Sequence, residues 1–172
     1  AIVDQFRDNC GMRPDVDLDH PTLRINIHIN EDLCTVSLDS SGKSLHKRGY
    51  RLETNEAPIS EALAAGLILL SDWDKKSHFV DGMCGSGTFL VEAAMIAANI
   101  PANINRAHFA FEDWPDFDQN LWELIKESQL KKLKDCYGKI IGYDIDPHTL
   151  ASAKINIQNA GLEDYIELKC EN

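Results

Sequence analysis

The sequence predicts an α/β fold built on a doubly wound parallel sheet, with an antiparallel β element ahead of it. Three observations carry that expectation. Residues 81–88, Asp-Gly-Met-Cys-Gly-Ser-Gly-Thr, form a glycine-rich turn between a short apolar run at 78–80 and a long one from Phe89 to Ala98. A second apolar run, Lys139 to Asp144, leads into Ile145-Asp146-Pro147 and a helical stretch stopped by Gly161. Upstream, Leu23-Arg24-Ile25-Asn26-Ile27-His28-Ile29 alternates apolar and polar residues without a break, the period of a half-buried strand.

The remaining elements follow in order. Residues 2–10 read as the end of a helix closed by Asn9-Cys10-Gly11. The loop after it carries Asp15, Asp17 and Asp19, but lacks the glycine and terminal glutamate of a calcium loop, so these acids read as solvated. The strand at 23–29 and a second at 33–38 are joined by Asn30-Glu31-Asp32, which predicts an antiparallel hairpin. His28 falls on its polar face. Residues 54–58 punctuate the chain, and residues 59–70 have the composition of a mostly buried helix with Pro58 in its first turn. A strand at 78–81 and a helix from Thr88, ended by Asn99-Ile100-Pro101, come next. Residues 102–138 interleave Phe109, Phe111, Trp114, Phe117 and Trp122 with acids and read as an inserted aromatic flap, with Asp118 capping a helix to about residue 133. A strand at 139–144, a helix at 147–159 with Pro147 in its first turn, and a strand at 165–170 complete a β-α-β-α-β pattern.

Composition narrows the function classes. The 172 residues suit one domain or slightly more. No run approaches the ~20 apolar residues of a membrane span, and the N-terminus has neither a basic nor an apolar signal region. The absence of an initiating Met leads us to expect a fragment or a processed chain. Five widely spaced cysteines, odd in number and without a C-x-x-C, argue against a disulfide framework or a structural metal site and fit a reducing cytoplasm. A net charge of −11 does not advertise nucleic-acid binding. One stretch departs from it: residues 42–51 hold Lys43, His46, Lys47, Arg48 and Arg51 with no acid. Those cations are candidates for RNA phosphates and Tyr50 for stacking on a base, against the plainer reading of a solvated linker.

The glycine turn is the candidate ligand site. Strand, glycine turn and helix bring a ligand against a helix N-terminus, at the carboxyl end of a parallel strand. A phosphate-binding P-loop requires Lys-Ser/Thr after its last glycine, and none follows Gly87. A dinucleotide fingerprint from Gly85 would need a third glycine where Leu90 stands. S-adenosylmethionine is the third class: Asp81 can accept from its ammonium while loop amides donate to its carboxylate. The chain pattern places Asp144, at the next strand end, beside this turn, where a carboxylate can take both hydroxyls of a ribose. Asp146 reads as a helix cap. Cys84 reads as a small filler of the turn rather than a nucleophile, with no neighbouring base in sequence.

Three segments together resemble a known family. They are Leu38-Asp39-Ser40-Ser41-Gly42-Lys43-Ser44-Leu45-His46-Lys47-Arg48-Gly49-Tyr50-Arg51, then Ala57-Pro58-Ile59-Ser60-Glu61-Ala62-Leu63-Ala64-Ala65, then Asp81 to Thr88. They resemble the THUMP-domain RNA methyltransferases, whose bacterial members include large-subunit ribosomal RNA guanine-N2 methyltransferases and which older labels call N6-adenine-specific DNA methylases. The resemblance implies that residues 1–51 are the C-terminal part of an α+β THUMP RNA-binding domain with a basic linker. It implies that residues 52–172 are the N-terminal half of a class I, Rossmann-like methyltransferase sheet. Asp81, Met83, Cys84, Gly85, Ser86, Gly87 and Thr88 would then form the methionine-binding motif, with Gly82 where the family more often has Pro. Asp144 would hold the ribose, with Asp146 beside it, and Ile145 would pack on the adenine. Asn172 stands where an adenine-contacting Asp is common. The partner implied is RNA, in particular 23S ribosomal RNA, bound without metal or membrane. The family's Asn-Pro-Pro-Tyr-type catalytic motif is not in this sequence, so no catalytic residue is assigned. An N6-adenine DNA methyltransferase, a nicotinamide-dependent oxidoreductase and a non-catalytic RNA-binding piece are the competing readings.

Overall fold

Period-two alternation and period-3.6 apolar runs sort into two sets of elements. The computed structural model describes residues 2–19, 21–52 and 58–171. The elements are α1 (Ile2–Cys10), β1 (Arg24–Asn30), β2 (Leu33–Asp39), α2 (Glu61–Leu70), β3 (Phe79–Asp81), α3 (Thr88–Ala97), α4 (Gln119–Leu130), β4 (Ile140–Asp144), α5 (Pro147–Ala160) and β5 (Ile166–Cys170). The chain divides into two compact units, Ala1–Gly42 with Phe109–Phe117, and Lys43–His108 with Asp118–Asn172. Most of the punctuating stretch at 54–58 lies outside the described residues, as does Asn172.

In the first unit β1 and β2 pair antiparallel, Ile25 opposite Leu38 and Ile27 opposite Val36. The register puts Ile25, Ile27 and Ile29 on one face and Arg24, Asn26 and His28 on the other, as the alternation requires, but the strand is not half-buried as expected: both faces are exposed, because nothing among the described residues covers the apolar one. The Asp39 carboxylate then closes the turn after β2. Its Oδ1 accepts from Ser41 N at 2.9 Å, Ser41 Oγ at 2.7 Å and Gly42 N at 3.1 Å. The Ser41 hydroxyl and the Gly42 amide foremost hold that carboxyl below its ordinary range. The aromatic insertion is not a single flap. Its residues 109–117 belong to this unit, because the Phe111 and Ala110 amides bond to the Ser40 and Ser41 carbonyls. The Phe111 ring packs on Phe109 and Phe117, with centroids 5.3 and 5.8 Å away.

In the second unit β3, β4 and β5 form a parallel sheet in that order, with Phe79 opposite Ile140 and Ile140 opposite Ile166. Helix α3 is apolar almost all round, and Leu90, Val91, Ala93 and Ala94 are fully buried. It packs with α5, Ile68 of α2 and the inner residues of the sheet into one core. Helix α2 is less buried than its composition predicts. It starts at Glu61 behind a Ser60 cap, so Pro58 precedes the helix. It buries Glu61, Ala64 and Ile68, one stripe at helical spacing, and leaves Leu63, Leu67, Leu69 and Leu70 exposed. Asp118 caps α4 by accepting from Leu121 N at 3.0 Å. Among the described residues no helix is long and apolar enough to cross a membrane.

Candidate functional site

Two parallel strands that start in register but differ in length bring two acids to the same edge of the sheet. Asp81 ends β3 opposite Gly142, and Asp144 ends β4 two residues further on. Between β3 and α3 the chain turns back over the end of β4. The Cys84 amide donates to the Tyr143 carbonyl at 2.9 Å, and the Gly85 amide donates to Asp144 Oδ2 at 3.0 Å. The other Asp144 oxygen accepts from Asp146 N at 3.0 Å, and Asp81 Oδ1 accepts from Met83 N at 3.1 Å. Gly85 and Gly87 both take left-handed backbone, with φ of 55° and 84°, which side chains disfavour. At Gly87 the turn also lies against α5, where an added Cβ would stand 3.3 Å from that of Ala153. The loop therefore rests on a helix with no side chain between them, and α3 starts from it.

The electrostatics follow from burial. Loss of water pushes the Asp81 carboxyl up, the Met83 amide opposes this, and the charge of Asp144 adds to it. The Cys84 thiol is pushed up to about 12, by burial first and then by Asp81 and Asp144. A thiol so raised is no nucleophile at neutral pH, so Cys84 is filler in the turn. Asp146 caps α5, accepting from His148 N at 3.0 Å and Thr149 Oγ1 at 2.8 Å, which holds its carboxyl down. Met83 and Ile145 stand exposed on the two loops. No cluster of three or more metal-ligating side chains occurs among the described residues.

The basic stretch is not the solvated arm that its charge predicts. Lys43 and Lys47 are exposed, but Arg48 and Arg51 turn into the protein. Arg48 Nε and Nη2 lie 3.4 Å from the two carboxylate oxygens of Glu92, itself 1% exposed. Tyr50 is buried rather than offered to a base, and its hydroxyl donates to Glu92 Oε1 at 3.1 Å. Arg51 Nη2 donates to Thr88 Oγ1 and to the Ile59 carbonyl, each at 2.8 Å, with Nε 3.7 Å from Glu61. The cause is desolvation: Glu92 and Glu61 sit on buried helix faces and need cationic partners. Burial pushes the Glu92 carboxyl up, and Arg48 and Tyr50 pull it back. Glu92, Glu61 and Asn156 were not singled out from sequence. A lone acid in each of two apolar helices, ten to forty-odd residues from an acid-free basic run, was the available signal.

A parallel sheet with crossover helices, and a glycine turn at the carboxyl end of its first strand, define a class I methyltransferase fold. The chain belongs to the RMKL-like methyltransferase domain family, whose model matches residues 48–172, and the THUMP domain model matches residues 1–39. The family resemblance read from the three motif segments is thereby confirmed. A ribosomal RNA large subunit methyltransferase K/L from Desulfotalea psychrophila is 39% identical over 178 residues, covering 99% of this chain and 25% of that protein. The crystal structure of SMU.472 in complex with SAH is similar at 40% identity and a TM-score of 0.84, covering 98% of this chain and 44% of that one. A structure described as a predicted N6-adenine-specific DNA methylase from Listeria monocytogenes is 38% identical with a TM-score of 0.82, over 87% of this chain and 40% of that one. The chain spans about a quarter of the length of the curated relatives it matches.

Proposed function

We propose that this chain is part of a cytoplasmic, S-adenosylmethionine-dependent methyltransferase acting on large-subunit ribosomal RNA, with the exocyclic N2 of a guanine in 23S RNA as its target. The observation that carries the reading is the pair of strand-end acids, Asp81 and Asp144, on either side of the Asp81–Thr88 turn. The donor set fits the cofactor. A carboxylate offers about four lone-pair sites. Asp144 already accepts from Gly85 N and Asp146 N, and its remaining sites suit the two ribose hydroxyls. Asp81 carries the charge for the cofactor's ammonium, and a Cβ at Gly82 or Gly85 would meet nothing within 4 Å, so the loop backbone is open to close approach. Ile145, exposed beside Asp144, suits the adenine face. When bound, the cofactor supplies an electrophilic methyl on its sulfonium. The residues of this chain bind and orient it, and Asp146 keeps α5 capped beneath the ribose ligand. The substrate reading rests on the ribosomal RNA methyltransferases among the relatives.

The test uses the full-length protein. Asp144→Ala removes the loop anchor and the proposed ribose ligand together. It should weaken S-adenosylhomocysteine binding roughly ten- to a hundred-fold, since hydrogen bonds to a charged group contribute ~1.5–3 kcal/mol each. Unchanged affinity by calorimetry removes Asp144 from the site, and tight NADH binding instead overturns the cofactor reading. Methyl transfer from labelled S-adenosylmethionine to 23S RNA but not to duplex DNA is the expected activity, and transfer to DNA adenine overturns the substrate.

We further assign residues 1–51 to RNA binding, with Lys43 and Lys47 as the phosphate contacts of the basic stretch, because they remain exposed while the arginines are paired. Reversing both charges should weaken RNA binding and flatten the slope of log K against log salt by roughly one and a half to two. A slope that does not move identifies them as ordinary solvated lysines.

A further inference from the structure

The segment 50–52 is stitched to the glycine turn by its own Arg51 and by Asn156 of α5. Asn156 of α5, fully buried, accepts from the Leu52 amide on Oδ1 and donates from Nδ2 to the Ser86 carbonyl, both at 3.1 Å. Arg51 bridges the Thr88 hydroxyl and the Ile59 carbonyl with one nitrogen. Its buried Nε makes no hydrogen bond and is held by Glu61 through charge alone. Ser86 and Thr88 are themselves buried and flank the left-handed Gly87. The Ser86 carbonyl and the Thr88 hydroxyl, on either side of Gly87, are thus held by Asn156 and Arg51.

We propose that Arg51 and Asn156 are positioning residues for the cofactor: by holding the Thr88 hydroxyl and the Ser86 carbonyl they set the orientation in which the turn presents its backbone to the methionine end of S-adenosylmethionine. The proposal rests on the reading of residues 81–88 as the cofactor loop. It gives the arginine of the basic stretch a role in the catalytic unit rather than on RNA. The Gly87 amide donates to the Cys84 carbonyl at 2.9 Å and its carbonyl accepts from Val91 N at 3.0 Å, which leaves the Ser86 carbonyl and the Thr88 hydroxyl on either side of it to Asn156 and Arg51. A guanidinium fits the task where an ammonium does not, since its planar fork reaches two acceptors and an ion-pair partner at once.

The experiment measures S-adenosylhomocysteine affinity by calorimetry on the full-length protein, well below each variant's melting midpoint, together with KM for S-adenosylmethionine and for RNA. Arg51→Met and Asn156→Leu should each raise the Kd about ten-fold and raise KM for the cofactor in parallel, with KM for RNA unchanged. Arg51→Lys should fall between Arg51→Met and the parent. Should either drastic variant fail to fold, Arg51→Lys and Asn156→Asp carry the test, and a Kd raised at least three-fold in folded protein is the expected result. If all these variants bind within two-fold of the parent while Asp144→Ala is weakened, Arg51 and Asn156 only support the fold and the proposal is overturned. If Asp144→Ala also binds normally, the cofactor-loop reading fails and takes this proposal with it.

Discussion

Glu92→Ala should destabilise the second unit by ~3–5 kcal/mol, the cost of removing one partner from a buried ion pair. Glu92 is 1% exposed and Arg48 is 11% exposed at the side chain, so neither charge has water to fall back on. With the carboxylate gone, the Arg48 guanidinium keeps the Leu45 carbonyl at 3.1 Å, and the buried Tyr50 hydroxyl loses its acceptor. Chemical denaturation of the full-length protein reads the effect as a lowered midpoint. Glu92→Leu combined with Arg48→Met should recover most of the loss, because a buried pair replaced by apolar side chains is often neutral. A single Glu92→Ala variant within 1 kcal/mol of the parent would show that the pair is solvated in solution. Asn159, which donates from Nδ2 to the Tyr50 carbonyl at 3.4 Å, belongs to the same set of contacts, so its variants should not add independently to those of Glu92.

Gly138→Ala comes next in size. An added Cβ would fall inside the Ser77 carbonyl oxygen and 2.7 Å from that of Lys76. These are backbone atoms, so the clash cannot be relieved by rotating a side chain, and overpacking of this kind costs about 1–3 kcal/mol or more. Gly138 lies two residues before β4, and beside it the Phe79 amide donates to the Lys139 carbonyl at 2.9 Å and the Lys139 amide to His78 Nδ1 at 2.9 Å. Relief requires the Lys76–Ser77 backbone to move away from Gly138, and that backbone leads directly into β3, whose end carries Asp81. The expected result is a lower melting midpoint together with weaker S-adenosylhomocysteine binding in protein that remains folded. A midpoint within 1 °C of the parent would mean that the Lys76–Ser77 backbone moves freely there.

The geometry of the candidate site was legible where it depends on short-range chemistry. The glycine turn, the acid before it, and Asp144 at the next strand end are local signals, and right-handed parallel connection brings the two strand ends together. The hairpin was legible because its alternation fixes which face each residue takes. The fate of the basic stretch was not. Arg48 meets Glu92 across 44 positions, and nothing near Arg48 in sequence distinguishes a paired guanidinium from a solvated one. Helix α2 misled for a related reason: leucine and isoleucine on several sides read as a mostly buried helix, while packing covers only the Glu61, Ala64 and Ile68 stripe. The split of the aromatic insertion, with residues 109–117 bonded to Ser40 and Ser41, is a pairing of backbone groups that side-chain patterns do not record.

The burial of Cys84 has a practical side. Alkylating reagents attack the thiolate, and a thiol raised to about 12 supplies almost none at pH 8. Cys10, Cys34 and Cys170 lie exposed. A maleimide dye or spin label should therefore react first at those three positions, then at the half-buried Cys136, and last at the buried Cys84. With Cys10 and Cys136 replaced, Cys34 in the hairpin and Cys170 at the end of β5 give each unit one exposed handle.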